Sequence, residues 1–209
     1  MVMARRNLMG GKPLPYDAEV EWIENTSTAY IFTGLNTTTT PILDYDAKVT
    51  FNGASMASNA AIFGWSYGAS ARYGIWKASP TQNIRAGFGG SAYADSGFGF
   101  SGEIIEVEAR NGRTVTINGV TESIGTGPNR NGYNIWIFAN SGTADGTAIY
   151  SNSRGRIYYV KFYDSDGNLI RDYVPIRKGT EGGLYDRVER KCYWNEAKDG
   201  SAFVIGPDK

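Results

Sequence analysis

The sequence contains no histidine, and Cys192 is the only cysteine in its 209 residues. The absence of histidine removes the commonest general base and the commonest metal ligand among side chains. A single cysteine cannot form an internal disulfide, and it excludes a zinc or iron–sulfur site built from several thiolates of this chain. We therefore expect no cofactor, no metal site and no catalytic residue, and we predict that the protein is not an enzyme.

Net charge and long apolar runs are also absent. Lys and Arg number 21, as do Asp and Glu, so the formal charge is zero. A nucleic-acid-binding protein normally has a basic excess that neutralises phosphates. No apolar run approaches the roughly 20 residues of a membrane span, and residues 1–15 lack the apolar core of a secretion signal. We expect neither nucleic acid nor a membrane as a partner, and synthesis in the cytoplasm without secretion.

Glycine and aromatic residues are abundant, with 27 glycines and 13% aromatics. Glycine destabilises helices and permits tight turns. From residue 17 onward, short runs rich in β-branched and aromatic residues are separated by turn signals, the clearest being the dipeptides Asn111-Gly112, Asn118-Gly119 and Asp166-Gly167. This spacing predicts an all-β fold, a two-sheet antiparallel β-sandwich of the jelly-roll type. Only the stretch 187–198 is compatible with a helical turn.

The chain divides into a short N-terminal arm, residues 1–15, and one domain, residues 16–209. The arm is rich in glycine and proline, and its charged residues are Arg5, Arg6 and Lys12, all basic. Two interpretations stay open: a disordered terminus, which many proteins have, or a flexible docking arm that binds another protein. Within the domain we expect residues 20–23 to pair with residues 203–205, so that the two ends of the chain close the sandwich.

Two short motifs match functional patterns without the rest of the required site. GWSYG, residues 64–68, has the G-x-S-x-G form of a serine-hydrolase nucleophile elbow, but the chain has no histidine to activate Ser66. GFGFSG, residues 97–102, has the dinucleotide-binding form, but a predicted strand follows it where a helix is required. We interpret both as loop sequence.

Two acidic patterns suggest sugar hydrolysis and calcium binding, and each has a simpler explanation. Glu106 and Glu108 share one strand face, as the carboxylate pair of a glycoside hydrolase would, but such alternation is also typical of a solvated outer face. Residues 164–168 begin like a calcium loop, but Gly167 stands in the wrong position for an EF-hand, and we predict a hairpin turn. We interpret Arg171 and Asp172 as members of a structural ion pair or turn contact.

A cluster of aromatic residues is the remaining candidate for a binding site. Trp65, Tyr67, Tyr73 and Trp76 lie within twelve residues of one another, with Arg72 in the loop that joins them. Flat rings on a loop rim can stack on sugars, while nearby polar groups fix the orientation of the ligand. The candidate carbohydrate-binding residues are therefore Trp65, Tyr67, Arg72 and Tyr73. The alternative is that Trp65 and Trp76 belong to the core, which leaves Tyr67 and Tyr73 as the expected surface residues.

The two ends of the domain carry a family resemblance. The opening YDAEVEWIENTSTAYIFTGL and the closing GRIYYVKFYDSDGNLIRDYVPIRKGTEGGLYDRVERKCYWN, followed by AFVIGPDK, resemble laminin-G-like jelly-roll domains of the concanavalin A-like superfamily. In the closing run an aromatic strand, a D-x-x-G turn, an L-I-R-D-Y-x-P strand, a GLYD turn and a terminal G-P follow one another in the family's order. The charged NEAKDGS before the last strand departs from the small, glycine-rich stretch of the family.

Domains of this kind occur in virion proteins of tailed phages and in surface proteins of gut bacteria. The resemblance implies a non-enzymatic virion structural protein, a head or tail decoration or fibre subunit, which is located in the virion and docks on other virion proteins through its arm. Virion components are often symmetric oligomers, so we expect a homo-oligomer and, as the first possibility, a trimer. The alternative is a lectin-like carbohydrate-binding module that contacts host-surface or mucus glycans. A glycoside hydrolase is the remote alternative.

Overall fold

The computed structural model describes residues 13–37, 39, 44–51, 60–67, 71–77, 83–88, 93–95, 102–124, 133–141, 149–150 and 153–209. These residues form strands joined by turns and loops, and none of them is helical. The strands are β1 (Ala18–Glu19), β2 (Ile23–Asn25), β3 (Ile31–Asn36), β4 (Asp44–Phe51), β5 (Ala61–Tyr67), β6 (Ala71–Lys77), β7 (Ile84–Phe88), β8 (Ala94–Asp95), β9 (Ile104–Arg110), β10 (Thr114–Ile117), β11 (Val120–Ser123), β12 (Asn134–Ile137), β13 (Asn140–Ser141), β14 (Ile149–Tyr150), β15 (Gly155–Tyr163), β16 (Leu169–Lys178), β17 (Glu181–Asp186), β18 (Lys191–Tyr193) and β19 (Val204–Ile205). A helix that could cross a membrane is not found among the described residues.

Two antiparallel sheets make up the sandwich. The large sheet has the strand order β11-β10-β9-β4-β15-β16-β17-β18, with β1 added on β16, β2 on β15 and β19 on β2. The small sheet has the order β3-β12-β5-β6-β7-β8, and β13 pairs with β14 separately. Neighbours that are distant in sequence, such as β4 beside β15 and β12 beside β5, are the crossovers of a jelly roll. The predicted two-sheet antiparallel β-sandwich is therefore confirmed.

The core lies between the facing surfaces of the two sheets. Strand β9 alternates strictly between exposed and buried side chains, as a strand with one buried face must. Tyr45 of the large sheet contacts the rings of Phe63 and Phe88 in the small sheet, with centroids 5.0 and 5.8 Å apart. Its hydroxyl donates hydrogen bonds to the carbonyl oxygens of Gly74 and Gly87, at 3.0 and 3.2 Å. The fully buried phenol of Tyr45 is thus satisfied, as a buried polar group should be.

The hairpin turns form where the dipeptides predicted them. Asn111-Gly112 lies between β9 and β10, and Asn118-Gly119 forms the two-residue turn between β10 and β11. Both asparagines have positive φ angles, 55° and 48°, and the glycines that follow have 61° and 83°. Asparagine and glycine adopt this left-handed backbone most readily, and it is the conformation that a tight hairpin of type I′ requires.

The segment that resembles a calcium loop is a hairpin turn between β15 and β16. One carboxylate oxygen of Asp164 accepts hydrogen bonds from the backbone N–H groups of Asp166 and Asn168, both at 2.9 Å. The side-chain amide of Asn168 donates to the other oxygen at 3.0 Å. The predicted turn is confirmed. The stretch 187–198, which was compatible with a helical turn, contains no helix: residues 187–190 form a turn between β17 and β18, and β18 follows.

The two ends of the domain close the sandwich together. Ile205 on β19 is paired with Ile23 on β2, and residues 206–209 continue along residues 19–22 through further backbone hydrogen bonds. The backbone N–H of Gly206 donates to the carbonyl oxygen of Trp22 at 2.9 Å. The Trp22 ring lies flat on this glycine, since a Cβ placed there would be 2.8 Å from ring atoms. The predicted pairing of the chain ends is confirmed.

Arg177 holds the two ends of the described chain side by side. Its guanidinium donates two hydrogen bonds of 2.6 Å to the carboxylate of Asp208 and lies 3.9 Å from the carboxylate of Asp17. A bidentate pair of this kind is the strongest form of an ion pair between side chains. Residues 13–15 precede this point and are exposed. The chain therefore enters the sandwich beside the place where it ends.

Candidate contact surface

Two of the four predicted carbohydrate-binding residues lie in the core. Trp65 on β5 exposes 1% of its surface, and its ring stacks on Tyr133 with 5.2 Å between centroids. The core interpretation of Trp65 is confirmed. Tyr73 on β6 exposes only 3%, so the prediction that it lies at the surface is wrong. The alternation of β6 directs Tyr73 toward the large sheet, where its ring packs against Tyr45.

Of the other two predicted carbohydrate-binding residues, the structure describes the side chain of Arg72. Arg72 is partly exposed on β6, 5.9 Å from the ring of Trp76, and burial lowers the pKa of its guanidinium. Trp76 is buried, as the core interpretation expected. The side chain of Tyr67 lies outside the described part of the structure. The predicted docking-arm residues lie outside it too: Arg5, Arg6 and Lys12.

The outer face of the small sheet is closed along a strip of glycines. Gly64, Gly74 and Gly87 are in register on β5, β6 and β7, and all three are buried. A Cβ at Gly64 or Gly74 would overlap a carbonyl oxygen of the neighbouring strand, and both have positive φ angles, 135° and 103°. Trp136 is paired with Gly64 from the other side and exposes only 7% of its surface. Among the described residues, the glycines and Trp136 offer no open ring, while Phe32 and Tyr30, which pack against Trp136, are partly exposed.

The outer face of the large sheet presents partly exposed aromatic rings instead. The strand β15 contains a β-bulge between Ile157 and Tyr159 in its pairing with β4. The extra residue is Tyr158, which is partly exposed like Tyr159 beside it. A bulge inserts one residue and so re-aims a side chain. It leaves two consecutive tyrosines accessible, where regular alternation would have buried one of them.

Each of these rings has a cation beside it. Arg156 lies 3.9 Å from the ring of Trp22, Lys48 lies 6.0 Å from Tyr158, Lys161 lies 5.7 Å from Tyr159 and Arg110 lies 5.1 Å from Tyr163. These distances are within the range in which a cation is attracted to an aromatic ring. We call this surface the aromatic face and define it by Trp22, Lys48, Arg110, Arg156, Tyr158, Tyr159, Lys161 and Tyr163.

Carboxylates fix three of these cations in position. Arg156 pairs with Glu24 at 2.9 Å, Lys48 pairs with Glu106 at 2.9 Å, and Arg110 pairs with Asp46. The cations and rings are thus linked across β2, β15, β4 and β9. Surface ion pairs contribute little stability one at a time, about 0–1 kcal/mol, but a linked set restricts the rotamers of the rings beside it.

Two phenols of the aromatic face, those of Tyr163 and Tyr159, have raised pKa values and stay protonated over a wide pH range. Burial and a hydrogen bond of 2.8 Å to Asp46 raise the pKa of Tyr163 to about 12. Burial and the nearby carboxylates of Glu106 and Asp46 also raise the pKa of Tyr159. A protonated phenol both donates and accepts a hydrogen bond. These rings can therefore offer an apolar plane and a polar tip to the same ligand.

The acidic pair on β9 belongs to this solvated surface. Glu106 and Glu108 are both exposed, and Val107 between them is buried in the core. The interpretation as an outer face is confirmed. Glu106 makes its ion pair with Lys48 on the flat sheet rather than across a cleft. Among the described residues, no group of three or more His, Cys, Asp and Glu side chains could hold a metal ion.

Arg171 and Asp172 form structural ion pairs, as expected, although not with each other. Arg171 lies 3.3 Å from the buried carboxylate of Asp186 and also pairs with Glu189. Asp172 lies 3.7 Å from Arg187. Asp186 accepts hydrogen bonds from backbone N–H groups of residues 172 and 188, at 3.0 and 2.9 Å. These contacts tie the turn after β17 to β16.

Sequence reasoning missed the aromatic face itself. The run RIYYVKFY, residues 156–163, is recognisable as an aromatic strand. Regular alternation back from Val160 and Phe162 would bury Tyr158. The bulge that exposes it leaves no mark in a single sequence, so the sequence alone does not reveal it. The signal that could have found the surface was the alternation of Tyr159, Lys161 and Tyr163 in this run, because a lysine between tyrosines is unusual for a strand with two buried faces.

No protein-family model, no curated protein and no solved structure matches this chain.

Proposed function

We propose that the protein is a non-enzymatic structural protein of a tailed-phage virion, a head or tail decoration or fibre subunit. It docks on other virion proteins through the arm of residues 1–15, and it displays the jelly-roll domain for surface contact or host adhesion. The subunit is a homo-oligomer, with a trimer as the first expectation. The family resemblance of the two chain ends is the source of this proposal, and one structural observation supports it.

That observation is the closure of the sandwich by its own ends. Residues 204–209 pair along residues 19–24, and Arg177 binds Asp208 beside Asp17. The first strand is therefore held from both sides, while residues 13–15 remain exposed outside it. An arm attached at this point can bind a partner without unfolding the domain that it carries. This is the arrangement that a displayed, rigid subunit requires.

The test is removal of the arm. We expect a variant lacking residues 1–12 to keep the urea midpoint and the oligomeric state of the full chain, because it retains β1, its pairing with β16 and the closure of the chain ends. We expect the full chain to co-sediment with tailed-phage particles from the genome that encodes it, and the truncated chain not to do so. Equal co-sedimentation of both chains would exclude the arm as the docking element. Failure of the full chain to bind particles would exclude the virion role.

A carbohydrate-binding module is the second candidate, and the aromatic face is the observation that favours it. Partly exposed tyrosines with fixed polar neighbours are the kind of surface on which sugars stack. Trp65 and Tyr73, which the sequence indicated, are buried. The binding residues of this second candidate function are therefore Tyr158 and Tyr159. The two functions are compatible, because a displayed domain can also adhere.

A further inference from the structure

The large sheet has one outer face with two different surfaces on it. On β10 and β11 the outer side chains are small and polar, and the hydroxyls of Thr116 and Thr121 bond each other at 2.7 Å. On β15 of the same face the outer side chains include Tyr159 and Tyr163, with Tyr158 at the bulge. A merely solvated strand needs no rings, as β10 and β11 demonstrate. The rings of Tyr16 and Tyr185 also lie on this face, but they pack against each other in a second buried cluster. The aromatic face on β15 differs from both surfaces because its rings are partly exposed.

We infer that the aromatic face, centred on Tyr158 and Tyr159, is a binding site for an uncharged oligosaccharide. This inference rests on the second candidate function above, and it assigns the site and the class of ligand. Pyranose rings have apolar C–H faces that stack on tyrosine, and hydroxyl rims that exchange hydrogen bonds with charged side chains. The bulge at Tyr158 places two stacking residues next to each other, which suits consecutive sugar units of one chain.

The charge of the surface decides the class of ligand. The aromatic face has four cations, and four carboxylates lie among them: Glu24, Asp46, Glu106 and Glu108. A sulfated or sialylated glycan would meet the carboxylates at close range, and a basic peptide would meet the cations. Like charges brought together at an interface oppose binding. An uncharged ligand with many hydroxyls meets neither penalty, and it finds donors and acceptors along the whole surface.

The rings are held in position before a ligand arrives. The hydroxyl of Tyr163 donates to Asp46, whose partner Arg110 lies beside the same ring. Lys48 lies 6.0 Å from the ring of Tyr158, and Glu106 fixes Lys48 in turn. Binding to fixed side chains loses less rotamer entropy than binding to free ones. The network of ion pairs thus positions the stacking residues.

The experiment is a glycan array followed by titration calorimetry. The array holds neutral oligosaccharides together with sialylated and sulfated ones, and the full chain is the probe. We expect signal on neutral oligosaccharides, and affinity for the strongest of them that is unchanged between low and high salt, because no net charge is neutralised. We expect Tyr158→Ala and Tyr159→Ala each to lower that affinity by about tenfold or more, which corresponds to about 1.4 kcal/mol.

Tyr93 supplies a matched control. It is a tyrosine exposed to 37%, with the guanidinium of Arg85 4.0 Å from its ring, but it belongs to the small sheet. We expect Tyr93→Ala to bind as the unmodified chain does, and Tyr159→Phe to keep most of the affinity because the ring remains. Unfolding midpoints of all variants show whether a loss of binding is a loss of folding.

Three outcomes would overturn the inference: no neutral oligosaccharide bound, stronger binding to sulfated or sialylated glycans, or the same affinity in Tyr159→Ala and Tyr93→Ala. The virion role fails separately, in the co-sedimentation of the full and truncated chains. Loss of co-sedimentation on removal of residues 1–12, with glycan binding unchanged, would support both.

Discussion

Trp136 on the outer face of the small sheet exposes 7% of its surface, and its ring packs on Phe32 and Tyr30 with centroids 4.6 and 5.6 Å apart. Tyr159 on the outer face of the large sheet is partly exposed, and its neighbour is the ammonium of Lys161. Both rings lie on the outer face of their sheet. Trp136 on the small sheet packs against other rings, and Tyr159 on the large sheet is accessible for contact.

The two faces differ in what lies between the rings. In the small sheet the space is closed by the backbone, because Gly64 and Gly74 have no room for a side chain. In the large sheet the space is filled by ion pairs such as that between Lys48 and Glu106, which are 31% and 58% exposed. A substitution at one of these glycines forces a side chain into the backbone of the neighbouring strand, whereas a substitution in an exposed ion pair removes only that pair. We therefore expect the small sheet to tolerate substitution much less than the aromatic face.

The largest effect is expected for Gly64→Ala. The new Cβ would overlap a carbonyl oxygen of β6, at a backbone φ of 135° that L side chains rarely adopt. We expect a loss of more than about 4 kcal/mol in the free energy of unfolding, in the range of exceptional single substitutions. This approaches the whole stability of many domains. Urea denaturation followed by tryptophan fluorescence measures it.

Gly119→Ala is the control for this comparison. Its φ angle is also positive, 83°, but a Cβ there has no neighbour within 4 Å. Only the cost of the left-handed backbone remains, about 1–2 kcal/mol. Equal losses in the two variants would show that crowding at the glycine strip does not matter.

The second-largest effect is expected for Trp136→Ala, and Tyr159→Ala is its comparison. We expect Trp136→Ala to lose about 3–5 kcal/mol, as a buried aromatic side chain does on truncation, because it leaves Phe32 and Tyr30 without their partner. We expect Tyr159→Ala to lose about 1 kcal/mol, the centre of the distribution for single substitutions. The urea midpoints of the two variants measure the difference. If Tyr159→Ala is as damaging as Trp136→Ala, the aromatic face is part of the structural core and not a free surface.

Much of the fold could be predicted because local chemistry determines it. Asn118-Gly119 predicted a hairpin, since few other dipeptides adopt two successive positive φ angles. Alternation predicted that Glu106 and Glu108 face solvent while Val107 is buried. The pairing of residues 20–23 with residues 203–205 was predicted from the need to cover two strand edges, and the structure extends it to residues 19–24 and 204–209. Each of these is a property of a few residues or of one general constraint.

The candidate site could not be predicted in the same way, because it depends on the phase of each strand. In the run RYGIWK, residues 72–77, Tyr73 and Trp76 are three positions apart, and both are buried, one on each face of the sheet. In RIYYVKFY, residues 156–163, the bulge at Tyr158 shifts the phase by one residue. A slip of one residue moves side chains to the opposite face, and only the partner strand reveals where it occurs.

A smaller effect is expected for Tyr163→Phe, and it depends on pH. The substitution removes the hydrogen bond of 2.8 Å to Asp46, and we expect a loss of about 1 kcal/mol at neutral pH. The pKa of Tyr163 is raised from 10.0 to about 12. A group with a raised folded-state pKa stabilises the protein fully below its unfolded-state pKa, and this contribution is lost as pH rises through the folded-state value.

The difference in unfolding free energy between the unmodified chain and Tyr163→Phe should therefore be constant up to about pH 9 and shrink between about pH 10 and 12. Urea titrations at several pH values measure it. Other tyrosines titrate in both proteins, so the difference isolates Tyr163. A difference that grows with pH would mean that the phenolate, not the phenol, is the form that the folded state prefers.

The smallest effect is expected for Glu106→Gln. Its carboxylate is 58% exposed and pairs with Lys48, so water and salt screen the pair, and we expect a change below about 0.5 kcal/mol. Glu24→Gln is the comparison, because Glu24 is only 11% exposed beside Arg156, and a buried partner is costlier to remove.

The Glu106→Gln variant also tests the hydrolase alternative, in which Glu106 is the catalytic carboxylate. Sugar release by the unmodified chain that disappears in Glu106→Gln would establish an enzyme. We expect no sugar release from either protein, because Glu106 is 58% exposed and paired with Lys48, whereas a catalytic site excludes water from the reacting groups.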